Sequence, residues 1–247
     1  MSNAERLRTA LPANHVEKTF LSWAYLRGYR IEIDFDCLTI VRSDSEDLRE
    51  TVAFEPKSTL LETLIRALEE PTLRMMTVIT TVDGDDKYAA IAKERGVKFV
   101  GDGGKIMAAK LSPRPEEATP EDKLASIDPA FVAQVDEQNG CCAVRIMAGK
   151  KLASTGKSAV SDGIATFDGM FTDMEYQRRG LATCVLAFLV RWAVANGARV
   201  GMLNASPHGQ MLYSGLGWTS VYNVVSMGGE PAIGFMERMR QKYAPKK

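Results

Sequence analysis

The chain has 247 residues, 45% apolar and 25% charged, enough to bury one large core or two smaller ones. Lys plus Arg and Asp plus Glu both number 31, which argues against a nucleic-acid binder working through a broad basic surface but leaves room for a small anionic ligand. Four cysteines without a C-x-x-C pair and two distant histidines (His15 and His208) indicate neither a zinc site nor a disulfide framework, so no metal is expected.

The N-terminal half reads as mixed α/β. Residues 16–27 place Phe20, Leu21, Trp23, Ala24 and Leu26 at helical spacing and stop at Gly28. Residues 31–35 and 37–41 read as strands. Residues 58–69 form a helix that Ser58 can cap, with Leu60, Leu61, Leu64, Ile65 and Leu68 as its apolar stripe. A strand at 75–80, a helix at 86–95 and a strand at 97–100 follow. Residues 111–123 carry Pro113, Pro115 and Pro120 among acidic side chains, a pattern that opposes regular structure. The boundary falls there, giving domains 1–112 and 124–247 with a linker at 113–123.

The second half opens with a helix expected at 129–137. Strands at 141–148 and 151–160 join across Gly149-Lys150, and a strand at 163–172 follows. A long helix occupies 180–196. Its apolar run at 181–195 contains Arg191 and is too short to span a bilayer. With no signal peptide evident, a cytoplasmic protein without membrane association is expected. Strand 199–204, helix 207–216 and strand 218–227 complete the chain. Strand 75–80 with helix 86–95 faintly echoes strand 199–204 with helix 207–216.

The chemistry concentrates where strand 163–172 meets the long helix. The first N–H groups of a helix have no intrahelical partners, and the helix dipole makes that end positive, so an anion is expected there. Gly180 lets a ligand approach the backbone, Ala182 keeps the next position small, and Arg178 and Arg179 add positive charge. Gln177-Arg178-Arg179-Gly180-Leu181-Ala182 resembles the coenzyme A diphosphate loop, Gln/Arg-x-x-Gly-x-Gly/Ala, of the GCN5-related N-acetyltransferase (GNAT) family. The preceding Asp173-Met174-Glu175-Tyr176 is similar to the family's Asp/His-Pro-Glu/Asp-Tyr, with Met174 in place of Pro. About thirty residues on, the stretch from Ala205 through Leu212-Tyr213 to Leu216-Gly217-Trp218 resembles the family's Asn-x-x-Ala-x-x-Leu-Tyr-x-x-Leu-Gly-Phe signature. The resemblance covers roughly residues 125–227.

It implies an α/β (α+β) fold with a mixed, mostly antiparallel central sheet flanked by helices. It also implies acetyl-CoA as co-substrate and acetyl transfer to a primary amine by direct attack. The strand before the loop is expected to splay from its neighbour. There the main chain of Met170, Phe171 and Thr172 would meet the pantetheine arm and thioester. The loop and helix start, Gln177, Arg178, Arg179, Gly180, Leu181, Ala182 and Thr183, would hold the diphosphate. Tyr213 stands at the general-acid position, and a phenol of pKa near ~10 suits a thiolate leaving group; an amphipathic core tyrosine is the plainer alternative. Ser206 replaces a common Asn and can still hydrogen-bond the cofactor. Asp168 is either a base for the ammonium proton or a turn or surface carboxylate. The N-terminal half lacks both signatures and reads as a degenerate GNAT-like domain that shapes the acceptor cleft. The competing function is a non-catalytic acyl-CoA sensor or regulatory module. The partners expected are acetyl-CoA and an amine, without nucleic acid, in a monomer or homodimer.

Overall fold

Local sequence punctuation sets most of the elements in the computed structural model. It describes residues 2–11, 14–43, 48–69, 73–81, 85–99, 103–112, 119–229 and 232–233, with only the backbone at 85–87, 89 and 92. In chain order these are helix α1 (Asn3–Ala10), helix α2 (His15–Arg27), strands β1 (Arg30–Asp34), β2 (Cys37–Arg42) and β3 (Leu48–Phe54), and helix α3 (Ser58–Glu69). Next come β4 (Arg74–Thr80), α4 (Asp85–Glu94), β5 (Lys98–Phe99), β6 (Lys105–Lys110) and α5 (Pro120–Ile127). Then follow β7 (Phe131–Gln138), β8 (Cys141–Ala148), β9 (Lys151–Ser161) and β10 (Ile164–Thr172). A 3-10 turn (Met174–Tyr176), α6 (Leu181–Ala195), β11 (Val200–Ala205), α7 (Pro207–Gly215) and β12 (Thr219–Gly228) complete the set.

Two expectations at the start of the second half are corrected. The helix expected at 129–137 is strand β7, and the helix lies earlier, at α5. Thr119 caps α5: its hydroxyl accepts from the Asp122 N–H while the Asp122 carboxylate accepts from the Thr119 N–H, and Pro120 occupies the first helical position. There the missing N–H of proline costs nothing, so Pro120 starts a helix where it was expected to prevent one. β7 is a strand because Asn139 (φ 50°) and Gly140 (φ 73°) turn the chain back onto β8. The hairpin then pairs Phe131 with Ala148 through Gln138 with Cys141. Strands β3 and β6 and helix α1 were not expected from the sequence.

The chain folds as two compact units, each made of separate stretches: Met1–Arg8, Gly28–Met107 and Ala205–Lys247 in the first, Thr9–Arg27 and Ala108–Asn204 in the second. These units cut across the division expected at 113–123, of which 113–118 lie outside the described residues. The reason is pairing. β12 runs antiparallel to β4, from Asn223 opposite Thr80 to Gly228 opposite Met75, which carries the last strand into the first unit. α2 packs on β9 and β10, which carries it into the second.

In the first unit β1, β2 and β3 form an antiparallel meander, β3 and β4 are parallel, and β12 runs antiparallel to β4 and β5. Its core joins Leu61, Leu64, Ile65 and Leu68 of α3 to Met76 and Val78 of β4, Tyr88 of α4, and Val225 and Met227 of β12. In the second unit β7, β8, β9 and β10 are successively antiparallel, and β10 is parallel to β11. α6 buries Leu181, Val185, Phe188, Leu189 and Trp192 and packs on β8, β9 and β10.

α2 covers the other face of the second sheet. Thr19 contacts Met202, which shares a face with its partner Thr166, whereas Val185 and Leu189 of α6 approach Gly156 of the opposite parity on β9. The echo between the halves extends one step upstream: β3–α3–β4 and β10–α6–β11 are both strand–helix–parallel strand. No helix among the described residues is long and apolar enough to cross a membrane.

Candidate functional site

β10 and β11 start together and then part. Their parallel register runs from Ile164 opposite Val200 to Phe167 opposite Leu203 and ends there. β10 continues from Asp168 to Thr172, held only on its β9 side. In that stretch the β9 register skips: Asp168 faces Lys157 and Phe171 faces Thr155, so Gly169 and Met170 together oppose Gly156. Gly169 takes φ +64°, the left-handed region glycine enters freely.

The bulge re-aims the side chains that follow it. By strict alternation Met170 would share α2's face with Thr166 and Asp168. Instead its Sδ lies on the α6 side, against the place where a Cβ on Gly156 would stand, beside Val185 and Leu189. Phe171 is left on the opposite side, 54% exposed, and Thr172 bonds Ser154 through the two hydroxyls at 2.9 Å. An isolated glycine within a strand is the sequence signal for such a bulge.

The loop after β10 is braced by its own side chains. The Asp173 N–H donates to the Ala153 carbonyl (2.9 Å), and the Asp173 carboxylate caps the 3-10 turn by accepting from the Glu175 N–H. Lys151 pairs with Glu175 (2.6 Å) and Asp173 (3.5 Å), which offsets the acidic charge next to the loop. Gln177 donates from Nε2 to the Thr172 carbonyl (3.2 Å). Arg178 (φ 64°) and Gly180 (φ 84°) both take left-handed conformations. For an arginine that is strain of order ~1 kcal/mol, a feature that clusters at ligand sites.

Gly180 is the N-cap of α6 and offers no side chain to it. The first helical bond runs from the Cys184 N–H to the Gly180 carbonyl (3.1 Å). Among the described residues, the N–H groups of Leu181, Ala182 and Thr183 have no acceptor. Leu181 as a whole residue is 1% exposed, packed in the core at the helix start. Arg179 lies over the Phe131 ring (5.2 Å) and 3.7 Å from Asp128. Arg178 is exposed with no ion-pair partner among the described residues. Unpaired donors, a positive helix end and two guanidinium groups suit a phosphate-bearing ligand.

Asp168 does not stand free as a base. Arg27 of α2 holds it in a fork, Nε to Oδ2 at 2.8 Å and Nη2 to Oδ1 at 2.9 Å. Both oxygens engage a permanent cation, which favours the plainer of the two readings of Asp168, a structural carboxylate, over a base. Sequence reasoning missed Arg27, because its partner lies 141 positions away and no local pattern links them.

Ser206 and Tyr213 belong to the first unit. Ser206 caps α7, its hydroxyl accepting from the Gly209 N–H at 3.3 Å, and it keeps its own O–H to donate. Tyr213 is 6% exposed. Its ring packs on Trp218 at 5.9 Å and against Gly209, where an added Cβ would come within 3.2 Å of it.

No protein-family model matches this chain, and no curated protein does. Solved structures do. A GCN5-related N-acetyltransferase from Kribbella flavida superposes with a TM-score of 0.53 at 19% identity, over 86% of this chain and 95% of that one. One from Sphaerobacter thermophilus gives 0.52 at 11% identity, covering 77% and 79%. A tandem GNAT protein from the clavulanic acid biosynthesis pathway gives 0.51 at 11% identity, covering 77% of each chain. The chain therefore has the GCN5-related N-acetyltransferase fold. At these identities the likeness is one of architecture, over most of the chain.

Proposed function

We propose that the protein is an acetyl-CoA-dependent N-acetyltransferase acting on a primary amine. One observation carries this reading. The parallel strands β10 and β11 part after Phe167 and Leu203, and the freed strand leads into a helix whose first N–H groups have no acceptor among the described residues. An extended thioester arm ending in a diphosphate has the shape and charge to use both features.

The main chain of Met170, Phe171 and Thr172 would bind the pantetheine arm and polarise the thioester carbonyl. The N–H groups at Gly180 to Thr183, with Arg178 and Arg179, would take the diphosphate, while Gln177 braces the loop. In the reaction the neutral amine attacks the carbonyl carbon and the C–S bond breaks. The departing thiolate takes a proton, which we assign to the Tyr213 hydroxyl from that residue's place in the motif. Ser206 would offer its remaining O–H to the cofactor. The ammonium proton leaves to water or a base other than Asp168.

The division at 113–123 is kept as the proposed boundary between two GNAT-like sequence segments, the first of them degenerate. What supports degeneracy is that β3 and β4 stay paired to their ends, from Arg49 opposite Arg74 to Phe54 opposite Ile79. Glu55 then continues the pairing through its N–H to the Ile79 carbonyl (3.0 Å).

Isothermal calorimetry with acetyl-CoA tests the reading, followed by thiol release with a panel of amines. Absence of binding at ~1 mM ligand would end it. Binding without thiol release from any amine would favour a sensor over an enzyme.

A further inference from the structure

α2 is tied to β10 at both ends. Lys18 Nζ lies 2.9 Å from Asp162 Oδ2, in the turn before the strand, and Arg27 forks onto Asp168. The two pairs differ in strength. The Asp162 side chain is 67% exposed, so water screens that pair. The Asp168 side chain is 13% exposed and is gripped by two parallel charge-assisted bonds. Trp23, one helical turn before Arg27, stacks with the guanidinium at 5.3 Å and narrows its freedom.

The position of Asp168 gives the fork its consequence. Asp168 is the first residue of β10 beyond the last β11 partner and the last in register with β9 before the bulge. From there to Thr172 the strand has no β11 ladder to hold it. The Arg27 guanidinium is the anchor on α2's face at the point where the strand bends. The loop beyond has separate anchors, Asp173 on Ala153 and Lys151 on Glu175.

We propose that Arg27 is a positioning residue: its fork on Asp168 sets the bend of the bulge at Gly169 and Met170. That bend aligns the main-chain groups that meet the acyl thioester and leaves the diphosphate loop unaffected. The inference rests on the acyl-CoA reading above. It makes α2, far away in sequence, part of the machinery for the acyl group.

Four full-length variants test it. Arg27→Met keeps the stem over Trp23 and removes the fork. Arg27→Lys keeps the charge without the bidentate geometry. Asp168→Asn removes the carboxylate, and the double change Arg27→Asp with Asp168→Arg reverses the pair. Calorimetry reads affinity for CoA and for acetyl-CoA. Thiol release, with an amine or with water as acceptor, reads kcat and KM, and thermal melting reads stability.

Arg27→Met is expected to hold CoA affinity within about twofold and to lower kcat by about 10–100-fold with KM little changed. Arg27→Lys should fall between it and the wild type, and the reversed pair should recover part of the loss. Normal kcat in Arg27→Met, with wild-type acetyl-CoA binding intact, overturns this inference alone. So does a loss of CoA affinity and kcat together in step with melting temperature, since that marks a merely structural contact. So does a wild type that binds acetyl-CoA yet releases no thiol. A wild type that binds neither ligand overturns this inference and the acyl-CoA reading together.

Discussion

The Glu55 carboxylate lies against the end of the neighbouring strand: Oε1 accepts from the Thr81 N–H at 2.6 Å, and both oxygens lie 3.2 Å from the Thr80 hydroxyl. It closes the parallel pair β3/β4 at the end where β10 and β11 are open. A ligand arm entering between β3 and β4 would have to displace those bonds and the continued ladder. One molecule of acetyl-CoA per chain is therefore expected by calorimetry, both in the wild type and in Glu55→Gln. A stoichiometry near two in the wild type would show that the first unit binds the ligand as well.

Gly180 is held to glycine by its backbone conformation. Its φ of 84° strains any side chain, and an added Cβ would meet only Ile127 Cδ1, at 3.4 Å. Packing therefore contributes little, and the backbone term, ~1–2 kcal/mol, dominates the stability loss. Gly180→Val should lower the melting temperature by several degrees and weaken acetyl-CoA binding by about tenfold or more, because a branched side chain would crowd the N–H groups beside it. Retained affinity would place the diphosphate elsewhere.

Tyr213→Phe keeps the ring that packs on Trp218 and Gly209 and removes only the hydroxyl. Melting should change little. If the hydroxyl donates the proton to the thiolate, kcat should fall by about 10²–10⁴-fold while acetyl-CoA affinity stays within a factor of about two. Unchanged turnover would return Tyr213 to a packing role.

Glu121 on α5 accepts from Arg191 on α6, with Oε2 to Nη1 at 2.7 Å, and those hydrogen bonds hold its carboxyl below the ordinary glutamate range. A carboxyl whose pKa drops on folding stabilises the protein above its unfolded pKa and loses that contribution as pH falls through the folded value. Both side chains are about half exposed, 50% and 53%, so screening keeps the pair below about 1 kcal/mol. Glu121→Gln should cost a little stability near neutral pH, progressively less below about pH 4, and less at high salt. Thermal melts across pH read this directly, and a deficit independent of pH would point to shape instead of charge.

Much of the architecture was legible because it is local. Residues 58–69 carry a helical stripe, and α3 occupies that span, but Ser58 is its first helical residue and not its cap: the Leu61 N–H donates to the Lys57 carbonyl. Residues 141–148 alternate up to Gly149, and β8 occupies theirs. The misreading around α5 and β7 was also local: Thr119-Pro120-Glu121-Asp122 is a helix start and Asn139-Gly140 a hairpin turn. Both outweigh the helix expected at 129–137, because caps and turns dictate backbone direction. The strained loop was legible through Gly180, while Arg178 in the same conformation gave no sign.

By itself the sequence determined many of the helices and strands, the hairpin at Gly149-Lys150, and a glycine-opened helix end equipped with arginines. Each depends on neighbours within a few positions. The tertiary structure alone decided where β10 leaves β11, that Glu55 closes β3/β4, that β12 returns to β4, and that α2 grips β10 through Arg27 and Asp168. Those are contacts between residues distant along the chain. They are selected by complementary surfaces after the elements form, and so leave no periodic trace in the string of residues.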